Sequence, residues 1–159
     1  MNDREDAAEV AFFPPAIPLI AIFLGVLLEW IFPLSGYFPI ESPARVVIGA
    51  SLALISVLLL GLWSVVLFRS GGQSENPWKP TTHIEERGPY RFTRNPMYLQ
   101  MALVCTGVGI ALANWWVLVL VPAVMWALYT LVIRHEERYL EAKFGESYLA
   151  YKRRVRRWI

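Results

Sequence analysis

The sequence predicts an all-α membrane protein with four transmembrane helices and C-terminal amphipathic helices at the cytoplasmic interface. Apolar residues make up 56% of the 159 residues, and the mean hydropathy of +0.42 is high for a water-soluble domain. Only 18% of the residues are charged, and they concentrate at the start, in one central stretch and at the end. The long segments between them carry almost no charge, which excludes disordered, coiled-coil and collagen-like chains.

Four apolar segments are the predicted spans, at about residues 16–34, 44–68, 97–113 and 115–133. The first two are long enough to cross about 30 Å of hydrocarbon, whereas the third is short for a span. Asn114 separates the last two segments and predicts a tight helical hairpin. Glu29 lies near the outer end of the first span, where a carboxylate can reach water, and we interpret it as structural.

The basic residues predict the orientation of the chain. They lie mainly in the stretch 69–95 and after Ile133, and the positive-inside rule places these regions and both termini in the cytoplasm. Acidic residues precede the first span and argue against a cleavable signal peptide: Asp3, Glu5, Asp6 and Glu9. We therefore predict one integral-membrane domain over residues 1–159, in a bacterial or archaeal plasma membrane, with cytoplasmic regions at 69–96 and 134–159.

The central polar stretch ends in a helix-start signal. Asn95 is a good N-cap, Pro96 suits the first helical position, and the apolar run begins at Met97. The free amides of such a helix end, with Arg91 and Arg94 just before it, favour a carboxylate or a phosphate. An ordinary cap with basic membrane anchors explains the same residues about equally well.

The C-terminal polar block repeats large side chains at three- or four-residue spacing: Leu140, Phe144, Tyr148, Tyr151 and Val155. This spacing predicts helices that lie on the membrane surface, divided into two pieces at Gly145. An amphipathic anchor leaves the pair Glu136 and Glu137 unexplained. Because lipid phosphates are adjacent, we do not expect the basic residues 152–157 to bind nucleic acid.

Several enzyme signatures are absent from the sequence. It has no Walker loop, no GxGxxG fingerprint, no GxSxG elbow and no HExxH motif, and the two histidines lack a further ligand cluster. No metal site is therefore predicted. Alkyl transfer would need less from the protein, since a preorganised donor, an aligned acceptor and the exclusion of water suffice.

Two motifs in order carry a family resemblance. Residues 88–99, GPYRFTRNPMYL, are followed about forty residues later by Glu136-Glu137 and the spaced C-terminal side chains. This arrangement closely resembles the integral-membrane methyltransferases of the isoprenylcysteine carboxyl methyltransferase and phospholipid methyltransferase group, over roughly the second half of the chain. The resemblance implies S-adenosylmethionine as cofactor, bound without a Rossmann domain against the C-terminal helices, and a lipophilic acceptor that arrives from the bilayer.

By position, the resemblance implies a set of cofactor contacts: Thr82, His83, Ile84, Glu85, Tyr90, Asn95, Pro96, Met97, Tyr98 and Glu136. Arg94 is the candidate catalytic residue. The family's carboxyl methyltransferases place a substrate-binding arginine one turn before the cofactor glutamate, where this chain has Val132, which leaves Arg134 as the candidate substrate-binding residue.

Two functions of different classes follow. The first is methyl transfer to an isoprenylcysteine-like carboxylate or a lipid headgroup at the cytoplasmic membrane face. The alternative is a small non-catalytic membrane protein whose basic tail binds anionic lipid or a partner. Small residues in the third span predict either close helix packing or a gap that admits lipid: Ala102, Gly107, Gly109, Ala111 and Ala113. The acceptor atom and the oligomeric state stay open.

Overall fold

The fold consists of helices joined by short connections and one long polar stretch. The computed structural model describes residues 8, 10, 12–74 and 76–159, and within these ranges all regular structure is helical. Its five main helices in chain order are α1 (Ala16–Ile31), α2 (Ala44–Ser70), α3 (Pro96–Ala111), α4 (Trp115–Phe144) and α5 (Glu146–Arg154). The predicted all-α class is confirmed, while the acidic residues Asp3, Glu5, Asp6 and Glu9 lie outside the described residues.

Two of the helices are long and apolar enough to cross a membrane. Helix α2 has 27 residues and α4 has 30, which correspond to about 40 and 45 Å. Helices α1 and α3 are apolar but have 16 residues each, about 24 Å. Large apolar side chains cover the outside of the helices, with Phe23 66%, Val47 62% and Trp126 69% exposed. Such an extensive exposed apolar surface is typical of a protein that contacts lipid.

The small residues of α3 pack closely against the neighbouring helices. A Cβ atom on Gly107 would lie 2.5 Å from the carbonyl oxygen of Gly49 on α2, and one on Gly109 would lie 2.7 Å from Leu118 on α4. Both distances are far below van der Waals contact, so only glycine allows the backbones to approach this closely. The close-packing interpretation is correct, and the expectation of a lipid-sized gap at this stripe is wrong.

Asn114 and Glu29 stabilise the ends of the helices opposite the polar stretch. Asn114 caps α4 by accepting a 2.9 Å hydrogen bond from the Val117 amide, and its Nδ2 donates to the carbonyl oxygen of Gly25 on α1. The predicted hairpin is confirmed. Glu29 accepts hydrogen bonds from the amides of Leu34 and Ser35 at 2.8 and 2.7 Å, so one of its oxygens stabilises the turn after α1, in agreement with a structural role.

The hydrophobic core holds α4 against α1 and α3. Leu128, Val132 and Ile133 have no exposed surface, and they belong to one cluster with Tyr98 of α3. The apolar part of α4 ends at Ile133, and the helix continues for eleven residues with a charged sequence. This packing brings the polar end of α4 next to the first turn of α3. At this junction the two sequence motifs meet.

Candidate active site

A cavity of about 840 Å³, including its open mouth, lies where the two motifs meet. The first turn of α3, the polar end of α4, helix α5 and the stretch between α2 and α3 form its walls. Its walls combine aromatic rings with a few polar side chains, a composition typical of sites that bind cofactors and small molecules. Most of the predicted site residues line it: His83, Ile84, Glu85, Tyr90, Arg94, Asn95, Pro96, Met97, Tyr98 and Glu136.

Tyr98 and Glu136 join the two motifs directly. The Tyr98 hydroxyl donates a 2.5 Å hydrogen bond to Glu136 Oε1. Burial raises the pKa of Glu136 to about 7, although the hydrogen bond from Tyr98 works to lower it. No cationic side chain of the described residues pairs with Glu136. The carboxylate therefore favours a positively charged or hydrogen-bond-donating ligand in the cavity.

Glu137 has the opposite environment, although it is the next residue. Arg94 Nη2 donates to its Oε1 at 2.9 Å, and Arg157 donates to both oxygens at 3.0 and 2.8 Å. Burial alone would raise the pKa of Glu137, but these hydrogen bonds outweigh it and lower its pKa. Glu137 is thus a structural anion, and Glu136 is the carboxylate left for a ligand.

Arg94 connects the first motif to the C-terminal segment. Its Nη1 donates to the carbonyl oxygens of Lys152 and Val155 at 3.1 and 2.9 Å, while Nη2 is bound to Glu137. The buried Nε–H has no hydrogen-bond partner among the described residues. These contacts give Arg94 a positioning role, and its Nε–H is a donor left for a ligand.

Asn95 occupies the predicted N-cap position of α3 but does not cap the helix with its side chain. Its Nδ2 instead donates to the Arg157 carbonyl oxygen at 3.1 Å, which also accepts from Thr93 Oγ1. Because no side chain caps α3, the amides of its first turn keep their capacity to bind an anion. Met97 and Tyr98, which belong to this turn, line the cavity.

Tyrosines close the cavity on the side of α5. The Tyr151 hydroxyl donates to the Tyr90 carbonyl oxygen at 2.8 Å, and Tyr148 and Tyr151 are 2% and 3% exposed. Burial raises the pKa of Tyr90, although Ser64 beside its hydroxyl works to lower it, so the phenol stays protonated. The Ser64 hydroxyl donates to the Leu60 carbonyl oxygen, and the Tyr90 hydroxyl forms no well-aligned hydrogen bond within the described part of the chain. An unpaired buried hydroxyl at a cavity wall is a donor available to a ligand.

Two predicted site residues lie elsewhere. Thr82 is next to the wall but does not line the cavity, and Arg134 is exposed and outside it. The position one turn before Glu136 holds Val132, which is fully buried. Among the residues that the structure describes, no arginine therefore occupies the place where the resemblance implies a contact with a substrate carboxylate.

Other wall residues were missed by the sequence analysis. They include Phe68, Ser74, Asn76, Tyr139, Leu140, Tyr148 and Tyr151. The spacing of Leu140, Tyr148 and Tyr151 had predicted an apolar face against the membrane, and their placement corrects this interpretation because the face turns toward the cavity. Gly145, with a φ of +52°, separates α4 from α5 as predicted and lets α5 turn back over the site.

A second, entirely apolar groove of about 600 Å³ lies between α1 and α4. Residues of α1 and of the segment before it line one side, and α4 lines the other: Phe12, Ile17, Ile20, Ala21, Leu24, Leu120, Ala123, Val124, Ala127 and Leu131. Leu131 is the lining residue nearest to Glu136 in sequence, five residues or about 8 Å away along the helix axis.

Comparison with known proteins agrees with this geometry. An uncharacterized protein of Haemophilus influenzae is 36% identical over 63 residues, which cover 40% of this chain and 100% of that protein. Residues 43–147, about two thirds of the chain, match the profile of the phospholipid methyltransferase family. This match includes α2, α3 and α4, with the first motif and the Glu136-Glu137 pair of the second. The chain therefore belongs to the phospholipid methyltransferase family.

Proposed function

We propose that the protein transfers the methyl group of S-adenosylmethionine to a lipophilic acceptor at the cytoplasmic face of a membrane. The observation that carries the proposal is the contact between Tyr98 and Glu136, which joins the two family motifs at the wall of one cavity. The family consists of methyltransferases. The identity of the cofactor and the class of the acceptor are what we propose in addition.

The chemistry of the cavity fits this cofactor. S-adenosylmethionine, when bound, supplies an electrophilic methyl group on a sulfonium cation. Glu136 offers an acceptor for an amino or ribose group, the uncapped first turn of α3 suits a carboxylate, and the unpaired Tyr90 hydroxyl can donate a hydrogen bond. The aromatic rings of Tyr90 and Tyr98 line the same cavity and favour a cation.

The residues around the cavity exclude water and fix the binding groups. Phe68 packs against Tyr90 with ring centroids 5.6 Å apart, and Tyr148 and Tyr151 are almost fully buried. The ion triad of Arg94, Glu137 and Arg157 holds α4, the α3 turn and the C-terminal segment together. Such preorganisation is what alkyl transfer requires from a protein.

We propose that all four apolar helices span the membrane, with both termini in the cytoplasm. The exposed apolar surfaces of α1, α2 and α4 and the basic residues on the side of the cavity support this arrangement. Helices α1 and α3 are shorter than the hydrocarbon core, and a locally thinner bilayer accommodates such helices at modest cost.

The groove between α1 and α4 is the proposed site of the acceptor's hydrocarbon chain. It is apolar on both walls, and Leu131 is its lining residue nearest to Glu136 in sequence. Ala127→Phe should fill the groove and reduce turnover while leaving the affinity for S-adenosylmethionine unchanged. The control is Val119→Phe on the exposed surface of α4, which should leave both quantities unchanged.

Of the two acceptor classes, the structure favours a lipid amine over an isoprenylcysteine-like carboxylate. A carboxylate acceptor needs a cation, but Arg134 is outside the cavity and the Arg94 guanidinium is bound to Glu137. Glu85 also lines the cavity, although Arg87 neutralises it. The charged group left for a ligand is therefore mainly the Glu136 carboxylate, which favours a positively charged group.

The alternative function, lipid or partner binding by the basic tail, has less support. Four of the five basic residues in 152–157 are paired with glutamates of the same chain: Lys152 with Glu141, Arg153 with Glu146, Arg154 with Glu86 and Arg157 with Glu137. A tail that binds anionic lipid would keep its cations available.

The test uses the full chain in nanodiscs with S-adenosylmethionine labelled in its methyl group. Nanodiscs containing phosphatidylethanolamine should yield labelled lipid, and nanodiscs containing farnesylcysteine should yield less. Glu136→Gln should reduce the label at least tenfold, and the matched control Glu146→Gln, at an exposed position on α5, should not. Saturable cofactor binding without label in any lipid would contradict the proposed acceptor, and absence of cofactor binding would contradict the enzyme.

A further inference from the structure

Gln73 contacts His83 in the cavity wall formed by residues 83–85, and it belongs to neither of the two family motifs. It follows the end of α2, where its backbone N–H donates a 2.8 Å hydrogen bond to the Phe68 carbonyl oxygen. The residue is only 6% exposed. Gln73 thus contacts both Phe68 and His83, which line the cavity.

The side-chain amide of Gln73 is held in one orientation. Its Oε1 accepts a 3.0 Å hydrogen bond from the Thr82 amide, which can only donate. Nε2 therefore occupies the other position of the carboxamide, 3.1 Å from His83 Nε2. Because an amide NH₂ can only donate, His83 Nε2 must accept and cannot carry a proton.

The remaining ring nitrogen of His83 then carries the proton. Nδ1 lies 3.3 Å from Thr82 Oγ1 on the exposed side of the ring, a long hydrogen bond that a ligand can replace. A Cβ on Gly71 would lie 2.7 Å from His83 Cε1, so a side chain at position 71 would clash with the imidazole ring. Glu85 is 3.8 Å from His83 Nε2 but is bound to Arg87, whose hydrogen bonds lower the pKa of Glu85.

We propose that Gln73 is a positioning residue that fixes His83 as the Nδ1–H tautomer, so that His83 serves the cavity as a hydrogen-bond donor to an oxygen of the ligand and not as a base. The role toward a ligand rests on the proposed function, whereas the tautomer is a property of the free protein. Substitution of Gln73 by glutamate keeps the acceptor for the Thr82 amide and removes the donor to His83. The imidazole must then present an N–H at Nε2.

The tautomer can be measured by nitrogen NMR on the full chain in detergent, labelled with ¹⁵N-histidine. The sequence has two histidines, so His135→Gln assigns the signals of His83. At a pH at which the imidazole is neutral, we expect protonated Nδ1 and unprotonated Nε2 in the wild type, and unprotonated Nδ1 and protonated Nε2 in Gln73→Glu; the affinity titration is carried out at the same pH. Unprotonated Nδ1 in the wild type, or the same tautomer in both proteins, would overturn the proposal.

A titration with S-adenosylmethionine tests the role toward the ligand. We expect Gln73→Glu to bind about three- to tenfold more weakly, and Ser70→Ala, which loses an exposed hydroxyl near the end of α2, to bind like the wild type. Both variants should unfold within a few degrees of the wild type. Wild-type affinity in Gln73→Glu would overturn the donor role while the proposed function stands. If the wild type binds no S-adenosylmethionine, the proposed function fails, and the NMR result still decides the tautomer.

Discussion

The substitution Glu136→Gln should change the affinity for the cofactor and the stability of the fold in opposite directions. Burial raises the pKa of Glu136 to about 7 from an ordinary value of 4.5, so the carboxylate is largely protonated in the free protein below pH 7. A cationic cofactor group requires the ionised form, and a neutral hydrogen-bond donor binds more strongly to the carboxylate than to the protonated carboxyl group. We therefore expect the affinity of the wild type for S-adenosylmethionine to fall as the pH is lowered from 8 to 6.

The magnitude follows from the pKa. The fraction of ionised Glu136 falls by about tenfold between pH 8 and pH 6, which corresponds to about 1.4 kcal/mol of binding free energy. The effect on folding has the opposite sign. Because the folded-state pKa is raised, the protonated group favours the fold below pH 4.5, and this contribution is lost as the pH rises through about 7. Glutamine resembles the protonated form and should stabilise the fold at pH 8, by up to about 3 kcal/mol.

Calorimetric titration at pH 6, 7 and 8, combined with thermal unfolding, tests both effects. The variant should bind about 10- to 100-fold more weakly at pH 8, as expected for the loss of a charge-assisted hydrogen bond, and should unfold at the same or a higher temperature. The pH dependence that remains in the variant comes from groups other than Glu136. Unchanged affinity, or parallel losses of affinity and stability, would refute the reasoning.

Further substitutions test the surrounding structure. Tyr98→Phe removes the hydrogen bond that lowers the pKa of Glu136, so the midpoint of the affinity profile in the same titration should move above pH 7. Glu137→Gln leaves two guanidinium groups without a buried carboxylate and should destabilise the fold by about 3–5 kcal/mol in thermal unfolding. Gly107→Leu should separate α2 from α3 and lower the unfolding temperature, whereas Val119→Leu on the exposed surface should not. Arg134→Ala should leave methyl transfer unchanged, and a large loss would restore this arginine as a substrate contact.

The helices were predictable from the sequence because their ends depend on local signals, and the contact between the two motifs followed from where the helices end. Uncharged apolar runs, the Asn95-Pro96 start of α3 and the glycine at position 145 predict where helices begin and end. The two motifs end up in contact because both leave the apolar segments on the same side. Glu136 was recognised through the family resemblance, and its environment explains why that position suits a cofactor contact.

The functions of the basic residues were not predictable, because each depends on partners distant in sequence. Arg94 forms hydrogen bonds with carbonyl groups about sixty residues away and with Glu137, so a residue that resembles an anion ligand is mainly a structural link. The spaced side chains of the C-terminal block gave a clear helical period. Periodicity does not distinguish a face that packs on lipid from one that closes a cavity, and Tyr148 and Tyr151 belong to the latter.

A crystal structure of the full chain with S-adenosylhomocysteine tests the central claim most directly. We expect the ligand in the cavity, with its carboxylate at the first turn of α3 and its amino or ribose group bound to Glu136. The apolar groove between α1 and α4 should lead toward the sulfur atom. A ligand bound at another surface, or a cavity that remains empty at saturating S-adenosylhomocysteine, would contradict the account.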